Sequence, residues 1–279
     1  MNEPHPSDEH LLAAARAGDK GALERLLERH QEQVYRFGMK MCRDREDAKD
    51  VLQDTLLAMA RSVRDFRGAS SLSTWLYTIA RSFCLKKRRR SKFAPDAERS
   101  LETDVAAEAR RLSSPGADAD ELLAGKEVER ALERAIAGLD PMYREVLLLR
   151  DVEGLTAPEV AEVLGVTAQA VKSRLHRARL SVREQVAPLL GIELDNPAAP
   201  GTCPDVLTMF SQHLEDEISA DLCAEMERHL EGCARCRGAC DSLKRTLALC
   251  RTSGPAVEVP AALQASVKKA LRAFLAENA

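Results

Sequence analysis

The sequence predicts an all-α protein built from several small domains. Residues that favour helices dominate, whereas aromatic residues account for only 4% of the 279 residues and β-branched runs are short. Apolar residues recur at intervals of three and four over several long segments, which is the spacing of one helix face. Segments rich in Pro, Gly or acidic residues separate these helical stretches. Because the chain is too long for one small helical domain, we expect two or three.

The distribution of charge and apolar residues limits where the protein acts. The net charge of −3 excludes a uniformly basic nucleic-acid-binding protein, but the charges are segregated along the chain. No apolar run approaches the roughly 18 residues that a membrane span needs, and the N-terminus lacks the apolar core of a signal peptide. We therefore expect a cytoplasmic protein with no membrane partner. Because cytoplasmic thiols stay reduced, the eight cysteines indicate metal or redox chemistry rather than structural disulfides.

A first helical domain is predicted for residues 8–95. Apolar residues from Leu23 to Met41 mark one face of a long helix. Asp44 can cap the next helix by accepting a hydrogen bond from its first turn. The exposed face of that second helix carries Asp50, Gln53 and Asp54.

The last helix of this domain ends in a run of cations. It begins near Leu72, after a loop at 66–71, and Trp75 lies beside its buried stripe. Lys and Arg suit a helix C-terminus because they offset its dipole. Seven cations within twelve positions exceed what capping requires, so a surface that contacts phosphates is the favoured interpretation. These cations are Arg81, Lys86, Lys87, Arg88, Arg89, Arg90 and Lys92.

Residues 96–125 are predicted to form an acidic linker. Acids outnumber cations there, and the segment contains Ser113-Ser114-Pro115-Gly116, a composition typical of extended or disordered chain. Two interpretations remain open: a solvated tether, or an acidic strand that lies in a cationic channel of a partner.

The second domain, predicted for residues 126–190, contains a helix-turn-helix. A capping box of Thr156 and Glu159 starts one short helix, which Gly165 ends, and Thr167 caps the second. The apolar residues of the second helix should face inward. Its other, mostly cationic face suits the DNA major groove, although an ordinary hairpin with a solvated basic face is the alternative. The predicted outward residues are Gln169, Lys172, Ser173, His176, Arg177 and Arg179.

Three sequence motifs occur in order along residues 8–190. The first domain carries DREDAKDVLQDTLL and then STWLYTIARSF, which the basic run follows. After the acidic linker, the second domain carries LDPMYREVLLLRDVEGLTAPEVAEVLGVTAQAVKSRLHRAR. Separate motifs in this order are more specific than a lone helix-turn-helix. Together they resemble a bacterial RNA polymerase sigma factor of the extracytoplasmic-function class.

The resemblance implies a role for each part. Asp50, Gln53 and Asp54 are expected to dock on the clamp of core RNA polymerase, and the second domain on its flap. The outward face of the second domain is expected to read the minus-thirty-five element of promoter DNA. The first domain is expected to hold a flipped base of the minus-ten element, because an unpaired base needs a pocket and its strand needs cations. The residues implied are Phe66, Trp75, Arg81, Lys86, Lys87, Arg88, Arg89 and Arg90.

A metal-ligand motif lies in residues 202–250, after a Pro-rich break. His229 and Cys233, four apart, share one helical face, and Cys236 can bind the same ion. Cys203 is the candidate fourth ligand of a tetrahedral zinc site. The alternative is four ordinary buried residues with no metal. With FSQHLEDEI and MERHLEGCARC, the segment resembles the zinc-binding anti-sigma domain, which normally belongs to a separate protein.

The charge of this last segment indicates a contact within the chain. Between residues 203 and 231, eight acids face a single cation. Such a surface could dock on the basic faces of the sigma-like domains at an effective concentration on the order of millimolar, although solubility explains the charge as well. A terminal amphipathic helix at 260–279 is expected to pack on either neighbour. Three further cysteines could be inert, replace ligands or bind a softer ion: Cys223, Cys240 and Cys250.

The sequence therefore predicts a promoter-specificity subunit of bacterial RNA polymerase with a metal-binding regulatory tail. We do not expect an enzyme, since no pairing of a base with a nucleophile is apparent. Two alternatives remain. One is a helix-turn-helix regulator that binds DNA without polymerase, which the DREDAKDVLQD helix opposes. The other is a sigma-like scaffold that sequesters partners, which the intact basic faces oppose.

Overall fold

Every regular element in the described part of the chain is a helix, which confirms the predicted all-α class. The computed structural model describes residues 6–42, 44–93, 119–191, 203–252 and 258–277. Most of the predicted acidic linker therefore lies outside the described residues. Among the helices in these ranges, none combines the length and apolar character that a membrane crossing requires.

Within its described residues, the N-terminal domain (residues 6–93) contains four helices. They are α1 (Asp8–Arg16), α2 (Lys20–Cys42), α3 (Arg45–Ser62) and α4 (Leu72–Phe93). The Asp44 carboxylate accepts a hydrogen bond of 2.9 Å from the Asp47 backbone N–H, as predicted for the N-cap of α3. The apolar stripe of α2, with Val34 and Phe37 fully buried, packs on α3 and α4. This packing fixes the position of the cationic helix α4.

The helix-turn-helix domain (residues 119–191) begins with α5 (Ala119–Gly138), earlier than the predicted start at residue 126. It continues with α6 (Pro141–Leu147), a π-helical turn (Leu148–Val152), α7 (Ala157–Leu164), α8 (Ala168–Val186) and a 3₁₀ turn (Ala187–Leu190). The capping box of Thr156 and Glu159 is present, and Gly165 ends α7 with a φ of 68°. Thr167 accepts from the Ala170 N–H at 3.1 Å and caps α8. The predicted boundaries of the helix-turn-helix are thus confirmed.

The helix that starts at Pro141 does not stay α-helical to its end. At Leu148–Val152 it widens into a π-helical turn, a rare geometry that rotates the residues after it relative to an α-helix. Asp151 in this turn is only 2% exposed and contacts Arg179 of α8. The apolar pattern could not predict the change, because a run of three buried leucines, Leu147 to Leu149, does not mark where the winding widens.

The tail (residues 203–277) has four helices in its described residues. They are α9 (Val206–His213), α10 (Ala220–Gly232), α11 (Ala234–Thr252) and α12 (Ala261–Glu277). The first three share a small core around Phe210, Met226 and Leu243. Helix α12 packs instead on α3 of the N-terminal domain, where Leu263 and Val267 are buried. Because α11 packs on α8 of the helix-turn-helix domain, the tail contacts both preceding domains.

Candidate metal centre and nucleic-acid interface

Four residues of the tail bring their ligand atoms together near the junction of α10 and α11. The ligand atoms of Cys203, His229, Cys233 and Cys236 all lie within 4.8 Å of one another. The sulfurs of Cys203 and Cys233 are 4.0 Å apart. Two sulfurs at ordinary bond lengths in a tetrahedral zinc site are about 3.8 Å apart. The cluster therefore has the dimensions of a site for one zinc ion.

Helix ends set these side chains in place. Ser219 caps α10 by accepting from the Leu222 N–H at 3.3 Å, and His229 lies in the last turn of the same helix. The Cys233 N–H donates to the His229 backbone oxygen at 3.0 Å, and Cys236 follows in α11. The Nε2 atom of His229 is buried and has no hydrogen-bond partner among the described residues. A buried nitrogen without a partner is costly, and a metal bond offsets that cost.

The two thiols of the Cys-x-x-Cys pair differ in acidity. Hydrogen bonds from the backbone and thiol of Cys236 lower the pKa of Cys233, whereas burial raises the pKa of Cys236 to about 12. Because metals bind the thiolate rather than the thiol, Cys233 is the readier ligand of the pair. Binding of a metal by this cluster releases protons.

Three of the six residues predicted to read DNA are exposed on α8. They are Gln169, Ser173 and Arg177. The guanidinium of Arg177 donates a 3.3 Å hydrogen bond to the Tyr143 hydroxyl, at the protein surface. All three side chains are therefore accessible to a DNA major groove.

The tail covers two other residues of the predicted DNA-reading face. Lys172 donates to the backbone oxygen of Glu215 at 3.2 Å, and its Nζ lies 2.9 Å from the Glu217 carboxylate. The Nε2 atom of His176 lies 3.3 Å from the Thr208 hydroxyl. Burial lowers the pKa of His176, against the attraction of Asp205 nearby. Both side chains are thus engaged within the chain.

Arg179 departs from the predicted outward orientation. It is 2% exposed, and its guanidinium donates two hydrogen bonds to the Asp151 carboxylate, at 2.9 and 2.7 Å. A third hydrogen bond, of 2.7 Å, reaches Glu215 of the tail. The π-helical turn sets Asp151 against α8, and the bidentate pair holds Arg179 inward. The prediction that Arg179 faces outward is therefore wrong.

Glu215 is the acid at which the tail meets the helix-turn-helix domain. Its side chain is 4% exposed and lies 3.1 Å from the Arg150 guanidinium as well as 2.7 Å from Arg179. The next residue, Asp216, has a φ of 55°, a left-handed conformation that Asp tolerates better than most residues. This turn between α9 and α10 presents Glu215 and Glu217 to α8 together.

The region predicted to hold the minus-ten strand is partly open. Lys86 and Arg89 of α4 are exposed. Phe66 is 8% exposed and stacks on Trp75, with ring centroids 4.6 Å apart. The Phe66 ring therefore faces its neighbour rather than solvent. The side chain of Arg90 lies outside the described residues.

Three other cations of α4 are paired with carboxylates of this chain. Arg81 donates to Glu145 of α6 at 2.9 Å, and Arg88 lies 3.8 Å from the same carboxylate. Lys87 forms an ion pair with Asp50 of α3. The charges of these three cations are therefore partly offset within the chain.

The predicted clamp-binding residues lie on α3. Asp50 and Asp54 are exposed, and Gln53 is half-buried. The hydrogen bond to Asp50 raises the pKa of Lys87. A partner can therefore reach this surface, although one of its carboxylates is already paired.

A polar network between the first two domains was missed from the sequence. Glu153 accepts hydrogen bonds from Arg36, at 2.5 and 3.0 Å, and from the Tyr77 hydroxyl at 2.6 Å. These three residues lie far apart along the chain and share no motif. Only the folded chain brings them together.

The remaining cysteines occupy two environments. Cys42 and Cys84 are buried with their sulfurs 3.2 Å apart, where each packs as a small apolar residue. In the tail, Cys240 and Cys250 are buried and Cys223 is half-buried. None of these five cysteines belongs to the described four-residue cluster.

Three family models match the chain in the predicted order. The model described as "Sigma-70 region 2" matches residues 26–93, and that described as "Sigma-70, region 4" matches residues 129–182. The model described as "Putative zinc-finger" matches residues 203–237. The last range spans the Cys and His cluster, which is compatible with zinc.

Several relatives match about two thirds of the chain. "ECF RNA polymerase sigma factor SigM" of Mycobacterium tuberculosis is 37% identical over 185 residues, which are 66% of this chain and 85% of the relative. "ECF RNA polymerase sigma-E factor" of Haemophilus influenzae is 31% identical over 192 residues, which are 66% of this chain and 97% of the relative. A solved structure of CnrH in complex with the cytosolic domain of CnrY is 25% identical, with a TM-score of 0.46, over 63% of this chain and 95% of that one.

Proposed function

Because the chain belongs to the extracytoplasmic-function family of bacterial RNA polymerase sigma factors, we propose that its two helical domains engage core polymerase and promoter DNA while its tail restrains them. Sigma factors direct RNA polymerase to promoters and catalyse no reaction, so the chain is not an enzyme. A regulator that acts without polymerase is not favoured, because the match to sigma-70 region 2 covers 26–93. The cytoplasm, where RNA polymerase works, is the proposed location.

In the N-terminal domain, α3 is the proposed docking site for the polymerase clamp and α4 the proposed site for the minus-ten element. The exposure of Asp50 and Asp54 supports the first assignment. The second is supported by Lys86 and Arg89, two exposed cations of α4, and by the stacked rings of Phe66 and Trp75 near the start of the same helix. Single-stranded DNA needs both cations along its backbone and a pocket or stacking surface for its bases.

In the helix-turn-helix domain, α8 is the proposed reader of the minus-thirty-five element. Recognition helices present residues near their N-terminus to base edges, and the accessible Gln169 and Ser173 lie there. Arg177 is exposed further along the same helix. Arg179 is not among the residues proposed to contact DNA, since it is buried against Asp151. The same domain is the proposed partner of the polymerase flap.

The proposed metal ligands are Cys203, His229, Cys233 and Cys236, holding one zinc ion. The spacing of the ligand atoms and the unpartnered Nε2 of His229 support this assignment. Zinc bound by four protein ligands supplies structural stability rather than reactivity. Here it ties the start of α9 to the junction of α10 and α11, and so stiffens the turn that carries Glu215.

The contact between that turn and α8 is the observation that carries the regulatory part of the proposal. Lys172 and His176, which would otherwise be free to meet DNA, bond to Glu215, Glu217 and Thr208 of the tail. Because the tail is covalently attached, its effective concentration is on the order of millimolar. Promoter DNA therefore has to compete with the nearby tail for these two side chains.

Helix α12 extends the restraint to the N-terminal domain. Lys268 donates to Glu28 at 2.7 Å and Arg272 to Glu24 at 3.1 Å, both on α2. The apolar side of α12 packs on α3, the helix with the proposed clamp-binding residues. The tail thus restrains both promoter-binding domains at once.

Run-off transcription with purified core polymerase tests this function. The full-length chain is compared with a chain that ends after Gly191, each with and without a zinc chelator, and a template without a promoter is the control. We expect the shortened chain to be more active than the full-length chain, and the chelator to activate only the latter. Identical promoter-dependent activity in all four conditions removes the regulatory role. Absence of promoter-dependent transcripts in all four contradicts the promoter-binding assignments.

A further inference from the structure

The N-terminal and helix-turn-helix domains contact each other directly, at a buried carboxylate. Glu153 follows the π-helical turn, and its side chain is only 1% exposed. It accepts two hydrogen bonds from Arg36 of α2, at 3.0 and 2.5 Å, and one of 2.6 Å from the Tyr77 hydroxyl of α4. The Gln33 amide in turn donates to the Tyr77 hydroxyl at 2.6 Å. One residue of the second domain is thus held directly by two residues of the first, and Gln33 supports one of these two.

Because this network is buried, its hydrogen bonds form only in the arrangement in which the two domains contact each other. Surface ion pairs contribute little because water screens both charges. Glu153 and Tyr77 are instead nearly inaccessible, and burial together with the Glu153 charge raises the pKa of Tyr77. The hydrogen bond to Glu153 likewise raises the pKa of Arg36. A carboxylate buried this deeply is satisfied only while the two domains stay in contact.

Two more contacts at the same boundary occupy residues of the proposed minus-ten site. Glu145 of α6, itself 6% exposed, holds Arg81 at 2.9 Å and Arg88 at 3.8 Å. The Ser71 hydroxyl, in the loop before α4, donates to Glu159 of α7 at 2.9 Å. None of these hydrogen bonds involves a residue of the tail.

We propose that Glu153, with Arg36 and Tyr77, is a latch that closes the two sigma domains on each other and shields α4 from single-stranded promoter DNA. The latch is separate from the tail contact at Glu215, so the chain is restrained twice. Its effect on DNA rests on the proposed assignment of α4 to the minus-ten element. The closed arrangement itself does not depend on that assignment.

The distance between the two domains in the full-length chain tests the latch. Fluorescent dyes are attached through non-natural amino acids at the exposed positions Arg45 and Glu162, because the eight native cysteines rule out thiol labelling. We expect E153Q to raise the ratio of open to closed molecules about tenfold, the order expected for loss of charge-assisted hydrogen bonds. Y77F, which keeps the ring packed on Phe37, should act in the same direction.

Controls separate the latch from general destabilisation and from the tail. D8N breaks an ion pair with Arg29 inside the N-terminal domain and should leave the distance unchanged. The effects of E153Q and E215Q should multiply in the double variant, since the two sites share no hydrogen-bond partner. Unchanged distances in both E153Q and Y77F overturn the latch, whatever the transcription assay gives. Opening of the domains in the double variant, in which the tail contact at Glu215 is also loosened, without any gain in promoter-dependent transcription contradicts instead the assignment of α4 to promoter DNA.

Discussion

The guanidinium of Arg179 in the recognition helix lies 2.7 Å from the carboxylate of Glu215 in the tail, and their side chains are only 2% and 4% exposed. Arg179 already has a bidentate partner in Asp151. Burial of a second acid there is tolerated because Arg150 adds another positive charge. Two cations and two carboxylates therefore join the helix-turn-helix domain to the tail.

Replacement of Glu215 by Gln is expected to loosen the tail. The change keeps the shape of the side chain but removes charge-assisted hydrogen bonds, at a cost of about 2 kcal/mol. Hydrogen exchange of the backbone amides in α9 and α8 should accelerate accordingly. Glu225→Gln removes an exposed acid of α10 and is the matched control. Equal exchange in the two variants would show that the tail does not depend on Glu215.

Cysteine replacement is expected to distinguish the metal ligands from the other thiols. Cys233→Ser and Cys236→Ser should lose bound zinc, because each removes one of four ligand atoms that lie within 4.8 Å of one another. Cys223→Ser, outside that cluster, should retain it. Native mass spectrometry of the purified chains counts the zinc. Retention of one zinc per chain in both ligand variants would contradict the assignment.

Acidification is expected to weaken the contact between the tail and α8. Burial lowers the pKa of His176 below its ordinary 6.5, and its buried Nδ1 has no hydrogen-bond partner among the described residues. The neutral ring is thus the form that fits the docked tail. The contribution of the neutral His176 ring to the stability of the docked tail is fully present above pH 6.5. It is lost as the pH falls through the lowered pKa of His176.

Tail release between pH 7.5 and pH 5, followed by the fluorescence of a dye on α9, measures this effect. We expect His176→Gln to flatten the pH profile while the metal cluster remains unchanged. A profile that is equally steep in the variant would assign the pH dependence to other groups, such as the cysteine ligands.

Gly165→Ala is expected to destabilise the helix-turn-helix. A side chain at a φ of 68° costs about 1 kcal/mol, and no neighbouring atom within 4 Å of the added carbon would contribute a clash. Gly138→Ala, in α5, also meets open space but has no positive φ, so it should stabilise or leave the domain unchanged. Thermal unfolding of the two variants gives the comparison. A Gly165→Ala chain as stable as the parent would contradict the assigned turn.

Helix boundaries and the family were predictable from the sequence because they depend on local signals. The capping box at Thr156 and the turn at Gly165 are encoded within a few residues. The orientation of Arg179 was not predictable, since it follows from a π-helical turn that no local pattern marks. The position of Glu153 against Arg36 depends on how two domains pack. Such contacts between distant residues leave no periodic trace in the sequence.

The cluster of Cys203, His229, Cys233 and Cys236, in contrast, was predictable from the sequence. Three of these residues follow a short motif, and a tetrahedral ion requires a fourth ligand. The sequence therefore anticipated a cluster that the structure brings within 4.8 Å. Which acids of the tail meet α8 could not be anticipated, because the sequence offers eight of them between residues 203 and 231.

Association with core RNA polymerase tests the central claim most directly. Purified full-length chain is mixed with core enzyme, and the complex is isolated and supplied with promoter DNA and nucleotides. We expect a stable complex that starts transcripts at one defined position, and loss of that complex when Asp50, Gln53 and Asp54 are all replaced by Ala. Failure of the intact chain and of the chain that ends after Gly191 to bind core enzyme would contradict the account.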